Sequence, residues 1–501
     1  MNRIIVSVAI TVSLLVQASA EAQQRSTASR PGSNIRQAQA NNRARTTTAP
    51  TQSRSTLPTR PASAVVKPAS HQSIVTDEVI YEDGGMEFEG GYVEDGGCQS
   101  CDGGGCSSCT GGSCGIVGGG SCNSCSAPNQ FCICFPAHGW VHAEYLNWYQ
   151  DGMGVPPLVT TSNPSTTARA NAGVLGLPTT SVLFGGEDIL EGSRDGFRIR
   201  FGWWLAAWPL WGIEGEYVGL GEETESFFHQ STGTPILARP FFNTVTGAED
   251  SELVAFPSVI GGSIAVDATS RLDGAAVRLR RQLCCSDGCG YSFLACQTVP
   301  TSSRLDGTIG YRYWGLNESL QMQERLTSQV TADPGSFVIT DRFDTQNLFN
   351  GPELGVLWQG RRGWWSLDML MRLGIGNMHQ TVTIDGTTAT TVNGTTTNST
   401  GGLLAQRTNI GTYDQNRFTM VPELGATVGY QMTRRLRATF GYSMVYIGNV
   451  VRPGDQVDLD VNPNLLPPEN VPFTGALRPQ FDFVETDYWV QGLSFGGEFR
   501  W

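Results

Sequence analysis

The sequence predicts an all-β fold: an antiparallel, up-and-down transmembrane β-barrel of about 12 strands (roughly 10–14), preceded by a disordered N-terminal extension. Three observations carry this expectation. The chain begins like an exported protein, residues 139–501 alternate apolar and polar side chains with period two, and the last alternating stretch ends on Trp501.

Arg3 gives a positive start, Ile4 to Val16 is nearly continuous apolar residues, and Ala18-Ser19-Ala20 and Ala20-Glu21-Ala22 each fit the small-residue cleavage pattern of a secretory signal. The apolar run is shorter than the roughly 20 residues a spanning helix needs. Removal of residues 1–20 or 1–22 is therefore expected. No later stretch has the length of a helical span. A barrel remains open, because alternating strands leave little hydropathy signal. The net charge of −13 speaks against a nucleic-acid partner, and the leading 138 residues account for only −1 of it, leaving −12 on 139–501.

Residues 23–97 form a low-complexity linker. Its first part is Ser/Thr/Ala/Pro/Gln-rich and only basic (Arg25 to Lys67), and 76–95 are only acidic (Asp77, Glu78, Glu82, Asp83, Glu87, Glu89, Glu94, Asp95). Such compositions bury too little apolar surface to offset the entropy of ordering. Residues 98–138 are a Gly/Cys segment holding Cys98, Cys101, Cys106, Cys109, Cys114, Cys122, Cys125, Cys132 and Cys134, nine of the chain's thirteen cysteines. Cys98–Cys101, Cys106–Cys109 and Cys122–Cys125 have Cys-x-x-Cys spacing, which suits zinc or redox chemistry. An exported chain favours disulfides instead, and no histidine accompanies the pairs, so no metal is assigned. An odd count leaves one thiol for an envelope partner or for Cys284, Cys285, Cys289 or Cys296.

From Trp140 onward the alternation is strict. Phe197, Ile199, Phe201, Trp203 and Leu205 oppose Arg198, Arg200 and Gly202; beyond a turn at Pro209, Trp211, Ile213 and Tyr217 oppose Glu214 and Glu216. A hairpin of these two strands sets Arg198 and Arg200 against Glu216 and Glu214. Later stretches divide likewise, through Leu436, Ala438, Phe440, Tyr442 and Met444 against Arg435, Arg437, Thr439 and Ser443. Candidate strands lie near 140–150, 196–206, 211–220, 271–280, 304–315, 318–327, 336–344, 350–360, 364–375, 416–430, 434–447 and 488–501. The tight connections 207–210, 361–363 and 431–433 fall on one side and the long ones, 151–195, 221–270, 376–415 and 448–487, on the other. Short turns toward the periplasm, long loops outside and both termini periplasmic is the outer-membrane arrangement. In the last strand Trp489, Gln491, Leu493, Phe495, Gly497, Phe499 and Trp501 share one face; Phe499 and Trp501 are the expected assembly signal for the barrel-assembly machinery.

Several stretches together resemble the putative β-barrel porin-7 family of bacterial exported proteins. They are Trp140-Val-His-Ala-Glu-Tyr-Leu-Asn-Trp148, Pro157-Leu-Val-Thr-Thr-Ser162, Val182-Leu-Phe-Gly-Gly186, Gly212-Ile-Glu-Gly-Glu-Tyr217, Leu237-Ala-Arg-Pro-Phe-Phe-Asn243, Arg271-Leu-Asp-Gly274, Leu283-Cys-Cys285, Gly310-Tyr-Arg-Tyr313, Pro352-Glu-Leu-Gly355 and Arg452-Pro-Gly-Asp455. The resemblance covers nearly everything after residue 139 and implies an outer-membrane barrel, with no substrate or catalytic residue to carry over. Arg271–Gly274 and Arg304–Gly307 look like one strand-start motif used twice, and Pro352–Gly355 and Pro422–Gly425 like another.

Two functions fit. In a porin-like channel for passive diffusion of small solutes, the polar faces line a lumen and the aromatic faces meet outer-membrane lipid; the lining candidates are Arg198, Arg200, Glu214, Glu216, Arg278, Arg280, Asp306, Arg312, Glu353, Asp368, Arg372, Glu423, Arg437 and Glu498. The same mixed charges can instead pair and plug a small barrel, giving a structural surface protein tethered to cell-wall polymer or to another envelope protein through its N-terminal segment. No enzyme is expected: the five histidines, His71, His138, His142, His229 and His379, sit in no nucleophile motif. No cofactor is expected either, and the acidic stretches Glu82–Asp95 and Asp455, Asp458 and Asp460 lack EF-hand spacing.

Overall fold

The computed structural model describes residues 139–165, 167–292, 297–332, 334–469 and 472–501, with backbone alone over 288–292 and 297–300. The secretory segment, the linker and the Gly/Cys segment lie outside the described residues.

Alternation with β-branched and aromatic residues favours extended backbone, and ten long strands form: β1 (Gly139–Gln150), β2 (Gly192–Leu205), β3 (Trp208–Ser231), β4 (Ile260–Ser292), β5 (Gln297–Ser328), β6 (Ser336–Arg362), β7 (Trp365–Val392), β8 (Gly411–Gln431), β9 (Leu436–Val451) and β10 (Glu485–Arg500). Each pairs antiparallel with its neighbour in the chain. β1 pairs with β10 from Trp140↔Arg500 to Gln150↔Val490, so the ladder has no free edge along the ring. The backbone N–H of Trp501 donates to Gly139 O at 3.1 Å, bringing the last residue to the first strand.

Among the described residues the ring has ten strands, the low end of the expected 10–14 and fewer than the central figure of about 12. The expected breaks at 316–317 and 345–349 fall inside β5 and β6, which run unbroken and paired on both sides. Their Gly, Asn and Asp residues look like turn signals, but they mark a change of polarity. Along the lower part of β5, Ile309 and Tyr311 face outward, exposed, while Asp306, Thr308 and Arg312 are buried inside. Beyond Tyr313 the pattern inverts: Trp314, Leu316, Leu320 and Met322 face in, and Asn317, Ser319 and Gln321 face out. β7 inverts at the same level, from outward Trp365–Ile375 to outward Asn377, His379, Thr381 and Thr383, with Met378, Val382 and Ile384 turned inward. The outward apolar band is about 11 residues tall on β7, the length of a tilted membrane strand. The strands continue well beyond it.

Connections at 206–207, 363–364 and 432–435 lie with Gly139 and Trp501 at one end, termed the turn end; β4 and β5 overshoot it as a longer hairpin. The opposite, loop end carries 151–191, 232–259, 393–410 and 452–484. The expected loops 221–270 and 376–415 were too long, because strand backbone occupies much of both. The expected Arg/Glu hairpin is also shifted by two residues. The turn closes at Leu205↔Trp208, ahead of Pro209, so Arg200 lies opposite Glu216 while Arg198 lies opposite Val218 and Gly202 opposite Glu214. Both Arg-Leu-Asp-Gly stretches lie in mid-strand, not at strand starts.

At the loop end a five-stranded sheet, Val159–Ser162, Thr180–Phe184, Ile236–Asn243, Ala248–Ala255 and Asp460–Val461, joins the upper strands. It shares one apolar core with them, in which Leu158, Leu237, Phe241 and Val254 meet Val266, Met322, Phe343 and Ile384. Two buried arginines fasten this head. Arg239 Nη1 lies 2.7 Å from both Glu324 and Asp341, and Arg452 grips Glu318 with two N–H groups at 2.9 and 2.7 Å. Asp341 Oδ1 also accepts the backbone N–H groups of Leu404 and Ala405. That approach needs Gly402: a Cβ there would sit 2.2 Å from Asp341 Oδ1.

Candidate functional site

The site is the interior of the lower ring. Period-two alternation aims every second residue of each strand into a common space, and ten strands leave room for little beyond their own side chains. Opposite charges from facing strands therefore meet.

At mid-height Arg278 donates to Glu214 and Glu216, each at 3.1 Å, and also bonds Glu353. Arg312 on β5 lies 2.8 Å from Glu216 on β3, 2.5 Å from Glu353 on β6 and 2.6 Å from Glu423 on β8. Arg372 on β7 reaches back to β3, with Glu214 at 2.7 Å and Glu216 at 2.9 Å. Arg198 on β2 donates to Glu144 at 2.7 Å and lies 3.5 Å from Glu423. β3 and β7, or β2 and β8, are far apart around the ring, so these pairs cross its interior.

Nearer the turn end, Asp306 accepts from Arg280 and Arg304 at 2.7 Å each, and Arg437 donates to Asp368 and Glu498, also at 2.7 Å. His142 Nδ1 lies 2.9 Å from the Arg200 guanidinium, a donor only. Nδ1 therefore accepts, and Nε2–H donates to Thr439 Oγ1 at 2.9 Å. Burial of so many charges is tolerated because most of the guanidinium forks meet carboxylates from more than one direction, and Arg200 and Arg304 add His142 and the Trp204 ring to their single carboxylate.

Of the fourteen residues singled out as inward-facing, Arg198, Glu214, Glu216, Arg278, Arg280, Asp306, Arg312, Glu353, Arg372, Glu423, Arg437 and Glu498 are buried. Arg200 and Asp368 are nearly so, with side chains 14% and 12% exposed. All fourteen join this network. The two Pro-Glu-Leu-Gly stretches serve one purpose, since each delivers its glutamate, Glu353 or Glu423, to Arg312.

Glu144 and Arg304 were missed, although they share the parity of His142 and of Asp306. The head arginines Arg239 and Arg452 lie within segments quoted for the family resemblance, yet nothing local signalled that they would be buried.

Above the network lies an apolar layer that includes Trp148, Trp314, Phe349, Met378, Val421 and Tyr488, all buried. Arg198 stacks over Trp148 at 5.7 Å and Arg312 over Trp314 at 5.4 Å, joining the two layers by cation–π contact. A polar layer follows, in which Tyr488 donates to Gln150 at 3.0 Å and Arg194 to Ser270 O at 2.6 Å, and then the head core.

Among the cysteines, Cys284 is a free, exposed thiol, a correction to its place among the disulfide candidates. It sits opposite Leu305 on the outward face, whereas its neighbour Cys285 sits opposite Arg304 and is disulfide-bonded. The side chains of Cys289 and Cys296, and all of Cys98–Cys134, lie outside the described residues. Among the described residues no group of three or more His, Cys, Asp or Glu side chains is arranged to hold a metal ion.

A family model described as Putative beta barrel porin-7 matches residues 140–501. No curated protein matches the chain. Among solved structures, it is similar to the outer membrane protease OmpT of Escherichia coli at 7% identity, over 73% of this chain and 97% of that one, with a TM-score of 0.32. A Pseudomonas aeruginosa FadL homologue matches at 7% identity over 72% and 89% of the two chains, with a TM-score of 0.19. The P. putida toluene transporter TodX matches at 8% identity over 73% and 90%, with a TM-score of 0.16.

Proposed function

The chain belongs to the putative β-barrel porin-7 family, and from that premise we propose that it is an outer-membrane barrel that does not conduct: a structural anchor rather than a passive diffusion channel. The observation that carries this reading is the crossing of the ring by Arg312 and Arg372. Each is about 1% exposed and bound to carboxylates on strands that are not its neighbours. A solute moving along the axis would have to separate these pairs and then pass the layer of Trp148, Trp314 and Phe349. Each unpaired buried charge would cost several kcal/mol, about the full stability of a small domain.

In this reading the turn end faces the periplasm with both termini, the head faces outward, and the N-terminal segment links the barrel to cell-wall polymer or another envelope protein. Assembly through Phe499 and Trp501, whose rings stack 6.0 Å apart at the end of the closing strand, belongs to the same proposal. So does the absence of an enzymatic role. The test is electrical. Full-length protein refolded into planar bilayers is expected to give no stepwise conductance, and proteoliposomes no sugar-driven swelling. Regular single-channel steps from the native protein would overturn the anchor and restore the porin.

A further inference from the structure

We propose that the turn end of the barrel is a binding belt for anionic phospholipid headgroups, in which Arg281, Arg362, Arg434 and Arg435 take headgroup phosphates while the neighbouring tryptophans seat in the interface. The inference rests on the reading of the chain as a membrane barrel.

The belt is built from an asymmetry between the two rims of the outward apolar band. At the turn end these four arginines are exposed, and none makes an ion pair among the described residues. Asp306, Asp368 and Glu498, at the same level, are turned inward and already paired with Arg280, Arg304, Arg437 and Arg500. Among the described residues the exposed acid at this end is Asp287, which lies out on the overshooting β4–β5 hairpin. At the opposite rim the outward charges are mostly acidic, with Asp195 and Asp487 exposed; Arg417 there is bound by Glu485, and Arg271 is an exposed arginine at the same height. A phosphate surface is therefore attracted at the turn end and repelled at the other.

The exposed tryptophans follow the same division, while Tyr149 and Phe418 project at the other rim. Trp208, Trp364 and Trp365 project from the turn end at 66%, 60% and 53% exposure, and Arg281 lies over the Trp211 ring at 5.2 Å. Arg362 sits opposite Trp365 in the β6–β7 ladder, and Arg434-Arg435 follows Tyr430 and Met432 in the β8–β9 turn. An indole prefers the boundary between acyl chain and headgroup, which is the depth at which a flanking guanidinium meets a phosphate. Arginine rather than lysine suits this role, because its planar fork takes a phosphate with two N–H bonds and stacks on an aromatic face. The chain's one lysine, Lys67, lies far away in sequence.

The test is lipid selection. Full-length protein and the triple variant Arg362→Gln/Arg434→Gln/Arg435→Gln are placed in nanodiscs of mixed phosphatidylcholine and phosphatidylglycerol, and the lipids kept after release are counted by native mass spectrometry. The native protein is expected to raise the ratio of phosphatidylglycerol to phosphatidylcholine about tenfold over that of the bulk lipid, and the variant to lose most of that enrichment while keeping its heat-modifiable band. Equal retention of the two lipids by the native protein would overturn the belt. Occupation of the arginines by the chain's own acidic segment would give that result. Undiminished enrichment in the variant would overturn it as well. Failure of both proteins to enter nanodiscs of phosphatidylcholine alone would instead overturn the barrel reading on which the belt rests.

Discussion

The lower ring and the head are built from the same ten strands with opposite solutions to burial. Below the level of Tyr313 and Ile375, the strands bury charge and expose Ile309, Tyr311, Leu354 and Trp365; above it, they bury Met322, Phe343 and Ile384 and expose Thr, Asn and Asp. A strand does not change its geometry between the two. What changes is the medium outside. Where hydrocarbon surrounds the ring, the polar faces have only one another to pair with, and the cost of an unpaired group enforces the Arg–Glu network. Where water surrounds it, the hydrophobic effect returns and a core like that of a soluble protein forms. The lower part is therefore held mainly by directional pairs and the upper part mainly by apolar packing, into which only a few ion pairs, Arg239 with Glu324 and Asp341 and Arg452 with Glu318 among them, are set.

The largest effect should come from breaking the network. Arg372→Met leaves Glu214 and Glu216 short of a cation each of them contacts. It should cost about 3–5 kcal/mol, seen as loss of the folded, heat-modifiable band at lower urea or temperature. Phe343→Ala, at a position with 0% exposure in the head core, should cost about 3–5 kcal/mol of head stability and open the loop end to protease while the barrel band persists. If band and protease resistance are lost together, the two regions form one cooperative unit and the comparison fails.

Outward substitutions sharpen the boundary. Leu354→Arg, in the middle of the apolar band, should cost about 2–4 kcal/mol, whereas Thr412→Arg, outward on the head part of β8, should stay within about 0.5 kcal/mol; similar penalties at both would remove the membrane from the explanation.

The smallest effect is a pH dependence confined to the head. Burial, and then the neighbouring Glu324 carboxylate, hold the Glu252 carboxyl well above the usual range, against the opposing pull of Arg239. Its contribution is full below the unfolded value of about 4.3 and is lost as pH rises through the elevated folded one. Protease resistance of the head should therefore decline as pH rises, and Glu252→Gln should flatten that decline. A head equally resistant across the range, or a variant with an unchanged slope, would show that Glu252 does not set it.

What local sequence determined about this protein is the part governed by period. Parity of apolar and charged residues decides which side chains point inward on a strand, so the fourteen inward positions, the short turns at one end and the last strand ending on Trp501 follow from alternation alone. Strand number and length did not follow, because Asn, Gly and Asp near 316–317 and 345–349 read as turns until pairing on both sides is known. The hairpin register was off by two because the turn closes before Pro209, and Glu144 was overlooked beside its parity partner His142. Only the tertiary structure decided which charges meet. Arg312 reaches Glu423, and Arg239 reaches Asp341, across separations that no local pattern encodes. Ring closure brings distant strands within a guanidinium's length of one another, and the desolvation of that small interior then selects pairing over an open lumen.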